Sequence, residues 1–182
     1  MIRRVVAALV AALALCSCAE LQRRVPEDRV EFELAGRIAV RHGNEASSGN
    51  IAWRHAREAD EMLITSPVGT TVARLVRDAS GVVLSTAEGA EHRAQDAEAL
   101  TERVLGYRIP LAGMSAWVRG RPGSVGAAAE QRDPAGNLLV LEQEGWRIEY
   151  QERRADGLPL RMRLGYPGLE LRLAVHTWKV AP

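Results

Sequence analysis

Phe32-Glu33-Leu34-Ala35-Gly36-Arg37-Ile38-Ala39-Val40 is the stretch that sets the fold class. Phe32, Leu34, Ile38 and Val40 fall on one side of an extended chain, and Glu33, Arg37 and the following Arg41 fall on the other. Successive side chains of a strand point to opposite faces, so this alternation specifies a β-strand with one dry face and one wet one. The segment from Leu169 to Trp178 repeats it, with Leu169, Leu171, Leu173 and Val175 alternating against Glu170, Arg172 and His176. Two such strands, far apart in sequence, make a sheet the organising element.

Working outward from the first strand, Gly43-Asn44 begins a turn and Ser48 to Trp53 supplies a second strand with Ile51 and Trp53 in phase. Met62 to Thr65 and Thr71 to Val76 give a third and a fourth, joined by Ser66-Pro67-Val68-Gly69-Thr70, where Pro and Gly dictate a tight turn. That turn puts an aliphatic Val68 at a tip where a polar residue is usual. Val82 to Thr86 and a short edge piece follow, and then the period changes. Asp96 is placed to cap a helix over Ala97 to Leu105, stopped by Gly106, and a second helix is expected from about Ala112 to Arg119. Strands return at Ala127 to Arg132, Leu138 to Glu142, Trp146 to Tyr150 and Leu160 to Leu164. Links this short favour an antiparallel meander, because parallel neighbours need crossovers of a dozen residues or more. A meander of about ten or eleven strands curls into a barrel or a partly closed one, with the helices across its mouth.

Ahead of this domain, Met1-Ile2-Arg3-Arg4 precedes an uncharged, mostly aliphatic run from Val5 to Leu15. The run is too short for a hydrocarbon core of ~30 Å and reads as a secretory signal, residues 1–17. Leu15-Cys16-Ser17-Cys18 then has the form of a lipoprotein box, an aliphatic residue three places before Cys18 and a small one just before it. Cys16 fails the same test because bulky Leu15 precedes it. Cleavage before Cys18 would free its thiol for a diacylglycerol and its amine for an acyl group, a combination that anchors stably where one chain would not. An ordinary signal peptide ending near cysteines is the competing reading. Residues 18–31 form a lipidated tether, in which the thirteen residues from Ala19 to Glu31, polar and without an apolar period, reach at most ~45 Å at ~3.3–3.6 Å each. Residues 32–182 are expected to make a single domain.

The composition excludes several activities. With 24 basic and 23 acidic residues there is no excess of positive charge for nucleic acid. Once Cys18 is acylated no internal disulfide remains, so packing and backbone pairing must carry the fold. No glycine-rich phosphate loop occurs, and Gly113-Met114-Ser115-Ala116-Trp117 lacks the second glycine of a nucleophile elbow. His42, His55, His92 and His176 are dispersed without metal-ligand spacing and are expected as solvated strand or loop residues. Acidic residues alternating with arginines on polar faces are accounted for by cross-strand ion pairs. Trp53, Trp117, Trp146 and Trp178 are either plain core or the lining of a ligand cavity.

Taken in order, several motifs together resemble the LolB family of outer-membrane lipoprotein receptors. They are Phe32-x-Leu34-x-Gly36-Arg37-Ile38-Ala39-Val40, Ser48-Gly49-Asn50-x-x-Trp53, Ser66 to Thr70, Pro110-Leu111, Trp117-Val118-x-Gly120-x-Pro122-Gly123, Gly145-Trp146-x-Ile148-x-Tyr150 and the last strand ending in Trp178. The resemblance implies an unclosed antiparallel barrel capped by two or three helices around a greasy, acyl-binding cavity. Leu34, Ile38, Trp53, Trp117 and Trp146 are its candidate lining. It also implies that the loop Pro67-Val68-Gly69 enters the membrane. Val68 stands where the family usually has Leu, and one methylene less to bury weakens insertion by about 0.8 kcal/mol. Implied partners are a LolA-like periplasmic carrier, cargo lipoproteins and outer-membrane phospholipid. The working form is expected to be a monomer with no cofactor beyond the lipid on Cys18 and no enzymatic activity. By the sorting logic of such proteins, Ala19 after the anchored cysteine directs the chain to the periplasmic side of the outer membrane. A structural lipoprotein scaffolding an envelope assembly without any acyl ligand is the alternative, and a tethered hydrolase is disfavoured by the missing catalytic groups.

Overall fold

The structure, a computed structural model, describes Val25 and residues 29–181. The signal, Cys18 and most of the tether lie outside the described residues. Eleven strands form one sheet: β1 (Phe32–His42), β2 (Glu45–Ala56), β3 (Ala59–Thr65), β4 (Thr71–Asp78), β5 (Gly81–Thr86), β6 (Glu91–Ala94), β7 (Ala128–Arg132), β8 (Leu138–Gln143), β9 (Trp146–Arg153), β10 (Pro159–Tyr166) and β11 (Leu169–Val180). Their order is β6-β5-β4-β3-β2-β1-β11-β10-β9-β8-β7. Every pairing is antiparallel, and β1, the strand read first in the sequence, sits at the centre between β2 and β11. The sheet is strongly curved and does not close, so β6 and β7 are its two edges.

Side-chain alternation carries through the registers. Leu84, Leu75, Met62, Trp53, Leu34 and Trp178 stand opposite one another on six successive strands and make one continuous inner row. The outer face is laced with cross-strand pairs such as Glu33–Arg54 at 2.8 Å and Glu61–Arg74 at 2.8 Å, as expected for its acidic and basic residues. Two glycines let the sheet bend this far. A Cβ on Gly36 would overlap the carbonyl oxygen of Ala174, at the place where the β1–β11 register shifts. A Cβ on Gly49 would overlap the carbonyl oxygen of Thr65. At both positions a strand crosses its neighbour closer than any side chain permits.

Helix α1 (Ala97–Leu105) follows β6, with the Asp96 carboxylate accepting from the Ala99 N–H at 2.7 Å and Gly106 ending the helix at φ 81°. Helix α2 (Leu111–Trp117) starts one residue earlier and ends two earlier than the sequence suggests. Gly120, at φ 72°, turns the chain away. Both helices lie against the concave face. The strands also run longer than their apolar cores: β2 continues to Ala56 and β11 to Val180, because ladder bonds persist after the alternation stops.

The concave side is packed unevenly. Between α2 and β8–β10 it is solid, with Trp117, Leu141, Trp146, Ile148, Tyr150 and Met162 all buried. The indole of Trp117 donates to Gln143 Oε1 at 2.8 Å, and the Tyr150 hydroxyl donates to the Trp117 carbonyl at 2.9 Å, which fixes α2 on this half. Before β1, Val25 is buried as well, and Glu31 joins the sheet by accepting from the Ala181 N–H and donating to the His55 carbonyl.

Candidate functional site

Under the helices, on the β1–β5 half, the concave side is not filled. A hollow of about 300 Å³ is walled by Ile38, Trp53, Met62, Ile64, Leu75 and Leu84 of the sheet. Ala97 and Thr101 of α1, Leu111 and Met114 of α2 and Tyr107 and Ile109 of the link between them form its roof. Thr101, its one polar roof residue on a helix, turns its hydroxyl away to donate to the Ala97 carbonyl at 2.9 Å and accept from the Ile109 N–H at 2.9 Å. Burial pushes the Tyr107 phenol above its usual value, so it stays neutral here. Among the described residues no acidic or basic side chain lines the space. A surface like this rejects water and holds hydrocarbon, at about 0.8 kcal/mol per buried CH₂.

Two residues along the strands from the apolar row, behind Trp53, lies a buried polar cluster. Asp60, only 1% exposed, accepts from the Trp53 indole at 2.8 Å, bonds His55 Nδ1 at 2.6 Å and pairs with Arg77 at 2.6 Å. Every Asp60 oxygen therefore has a partner, which is what makes a buried carboxylate tolerable. His55 stacks on Phe32 with ring centroids 4.8 Å apart, and the Arg119 guanidinium, just past α2, lies over the same Phe32 at 5.2 Å. Arg119 also reaches Glu31 at 3.2 Å. His55 thus corrects the sequence expectation, being 5% exposed instead of solvated. The signal was present but unused: His55, Asp60 and Arg77 each sit two residues from a core residue, in the inward phase of their strands.

Of the candidate lining residues, the structure brings Ile38 and Trp53 together at the hollow. Leu34, Trp117 and Trp146 are buried elsewhere in the core and do not reach it. Much of the wall comes instead from β3, β4 and β5 and from β11, whose inward residues are individually ordinary Met, Ile, Ala and Leu.

The Ser66–Thr70 hairpin projects from the end of β3 and β4. The Ser66 N–H donates to the Thr70 carbonyl at 2.7 Å, the Gly69 N–H to the Ser66 carbonyl at 2.9 Å, and Gly69 adopts φ 92°. This is the three-residue hairpin loop in which a left-handed glycine closes the turn. The Asn50 amide pins its base by donating to the Ser66 carbonyl at 3.1 Å. Pro67 stiffens the loop, and Val68 at the tip is 89% exposed. Val72, just past the hairpin, is a second exposed aliphatic residue.

The family profile described as "Outer membrane lipoprotein LolB" matches residues 30–178. A relative described as "Outer-membrane lipoprotein LolB" from Thiobacillus denitrificans is 37% identical over 176 residues, covering 94% of this chain and 95% of its own. One of the same description from Nitrosomonas europaea is 39% identical over 153 residues, covering 81% of this chain and 72% of its own. Among solved structures, a DUF1329 family protein from Desulfovibrio piger superposes with a TM-score of 0.50 at 12% identity, covering 84% of this chain and 85% of its own. That is a likeness of fold alone.

Proposed function

The chain belongs to the LolB family of outer-membrane lipoproteins, and from that premise we propose how it takes over and releases acylated clients. As a member it is a lipid-anchored receptor on the periplasmic side of the outer membrane and not an enzyme. The finer reading is this. Cys18 carries the lipid anchor. The hollow under α1 and α2 accepts the acyl chains of a lipoprotein delivered by a LolA-like carrier. The hairpin tip at Val68 enters the inner leaflet of the outer membrane while the chains pass into it.

The observation that supports this reading is the hollow itself, lined by apolar side chains except at Ser47 and Thr101 and roofed by two helices. Its volume of about 300 Å³ sits at the small end of the range of ~300–1,000 Å³ for ligand pockets, so the roof must lift to admit a full lipid moiety. With no nucleotide chemistry available, transfer runs downhill: the hollow holds the chains more favourably than the carrier does, and the bilayer more favourably still.

The test mixes carrier loaded with a fluorescent lipoprotein and the purified receptor. Transfer is expected with the native chain. It should fall at least tenfold in Ala73→Phe, where an aromatic ring fills the hollow, while the unfolding midpoint is kept. A filled hollow that still accepts cargo at the native rate would overturn the acyl-cavity reading and leave the scaffold alternative standing.

A further inference from the structure

Beside the hairpin, on the outer face of the sheet, lies a depression that acyl transfer does not use. Its floor is small, Ala39 and Ala174, and Ser48, Gly49, Asn50 and Pro67 bound it on the β2 side. Arg37 of β1, Arg161 of β10 and Arg172 of β11 stand around it. The registers explain the cluster: Ala174 lies opposite Arg37 on one side and opposite Arg161 on the other, and Arg172 is opposite Ala39 on the adjacent rung. With strands ~4.8 Å apart, Arg37 and Arg161 rise about 10 Å from each other across a methyl floor.

The charge is available. Arg161 and Arg172 are 65% and 61% exposed, and each meets a carboxylate through Nε, Glu152 at 3.0 Å and Glu170 at 2.8 Å. A guanidinium has five N–H donors, so both keep their outer amino groups for another oxyanion. Arg37 is exposed and has no carboxylate partner among the described residues. Farther along the same face the charge is balanced, since Arg163 pairs with Glu170 at 2.5 Å and Arg41 stands opposite the same Glu170, so the free basic character is confined to Arg37, Arg161 and Arg172.

We infer that this depression binds the phosphate of an anionic membrane phospholipid while Val68 is in the bilayer. The inference rests on the proposed membrane entry of the hairpin. Pro67 is a wall of the depression and Val68 is the next residue, so the tip and the arginines share one face and approach a bilayer together. A tip sunk in hydrocarbon sets the three guanidiniums near headgroup depth, where basic side chains are attracted to anionic lipid. Arginine matches phosphate through paired N–H groups, which gives the depression more than diffuse attraction.

The test uses residues 18–182 with Cys18→Ala, so that only protein surface meets the vesicle, in flotation with phosphatidylcholine vesicles with and without phosphatidylglycerol. The native face should bind the anionic vesicles at least tenfold tighter. Combined Arg37→Gln, Arg161→Gln and Arg172→Gln should abolish that preference and keep binding to neutral vesicles. Combined Arg93→Gln, Arg132→Gln and Arg154→Gln, which remove equal charge elsewhere, should keep the preference. No preference in the native chain, or equal loss in both triple variants, overturns the inference. Inorganic phosphate should displace the native chain from the anionic vesicles more than chloride does at matched ionic strength, and displacement no greater than by chloride would overturn the inference as well. Val68→Glu tests the hairpin separately, since undiminished binding to neutral vesicles there would sink the membrane-entry reading and not the arginine result.

Discussion

Asp60 is the residue on which the floor of the hollow depends. Its carboxylate satisfies an indole, an imidazole and a guanidinium at once, and the Glu31 carboxylate, 4.0 Å from His55 Nε2, faces the other ring nitrogen and does not replace it. Asp60→Ala should therefore destabilise the domain by about 3–5 kcal/mol, the usual result of stripping one partner from a buried charge cluster. Urea denaturation monitored by tryptophan fluorescence reads this directly. Val68 makes the opposite case, a residue that holds nothing in the fold. Val68→Leu adds one methylene at the tip and should tighten partition into liposomes by about 0.8 kcal/mol with no change in the unfolding midpoint. Val68→Glu should leave cargo acceptance intact and impair delivery to liposomes. At this scale the sequence was half legible. Val68 stood out because aliphatic residues are unusual at a Pro-Gly turn, whereas for His55 only the inward strand phase was legible, since the carboxylate that makes its burial tolerable, Asp60, comes from the next strand.

Elements divide by how local their causes are. Helix α1 was readable to the residue because Asp96 and Gly106, its two ends, act within one turn of the chain. Asp96→Ala should cost about 1 kcal/mol and loosen that helix first, which hydrogen exchange over Ala97–Leu105 can measure. Helix α2 has no side-chain cap, and its limits are set from outside by the Trp117–Gln143 and Tyr150 hydrogen bonds, so its frame was not visible in sequence. The bends of β1 and β2 were hidden for a related reason. Gly36 and Gly49 look like ordinary small residues within strands until the neighbouring carbonyls of Ala174 and Thr65 are in place. Gly36→Ala should lower stability by about 1–3 kcal/mol through overpacking, with a matching fall in the thermal midpoint.

For the whole molecule, the open antiparallel sheet followed from alternation and short links, both written along the chain. The division into a solid half and an empty half did not, because it depends on where α2 comes to rest and on which of several equally apolar rows it covers. Two exposed ion pairs add to the acid sensitivity of the fold. Lys179, aided by Arg54, holds Glu33 below its usual value, and Arg154 holds Asp156 down to about 2. Both folded values lie under the unfolded ones near 4, so their support is complete above that pH and is lost as pH falls through the folded values. Stability followed by urea titration should accordingly decline below about pH 4 on account of these pairs.

The two unjoined margins of the sheet have a mechanical consequence. A closed cylinder of fixed strand number has a set girth, and stretching it means tearing a ladder. Here the flank made of β4, β5 and β6 can swing outward like the cover of a book, with the spine at β1 and the rigid, tryptophan-filled pages behind it. The hollow can thus widen and narrow again with no interstrand bond broken in either direction.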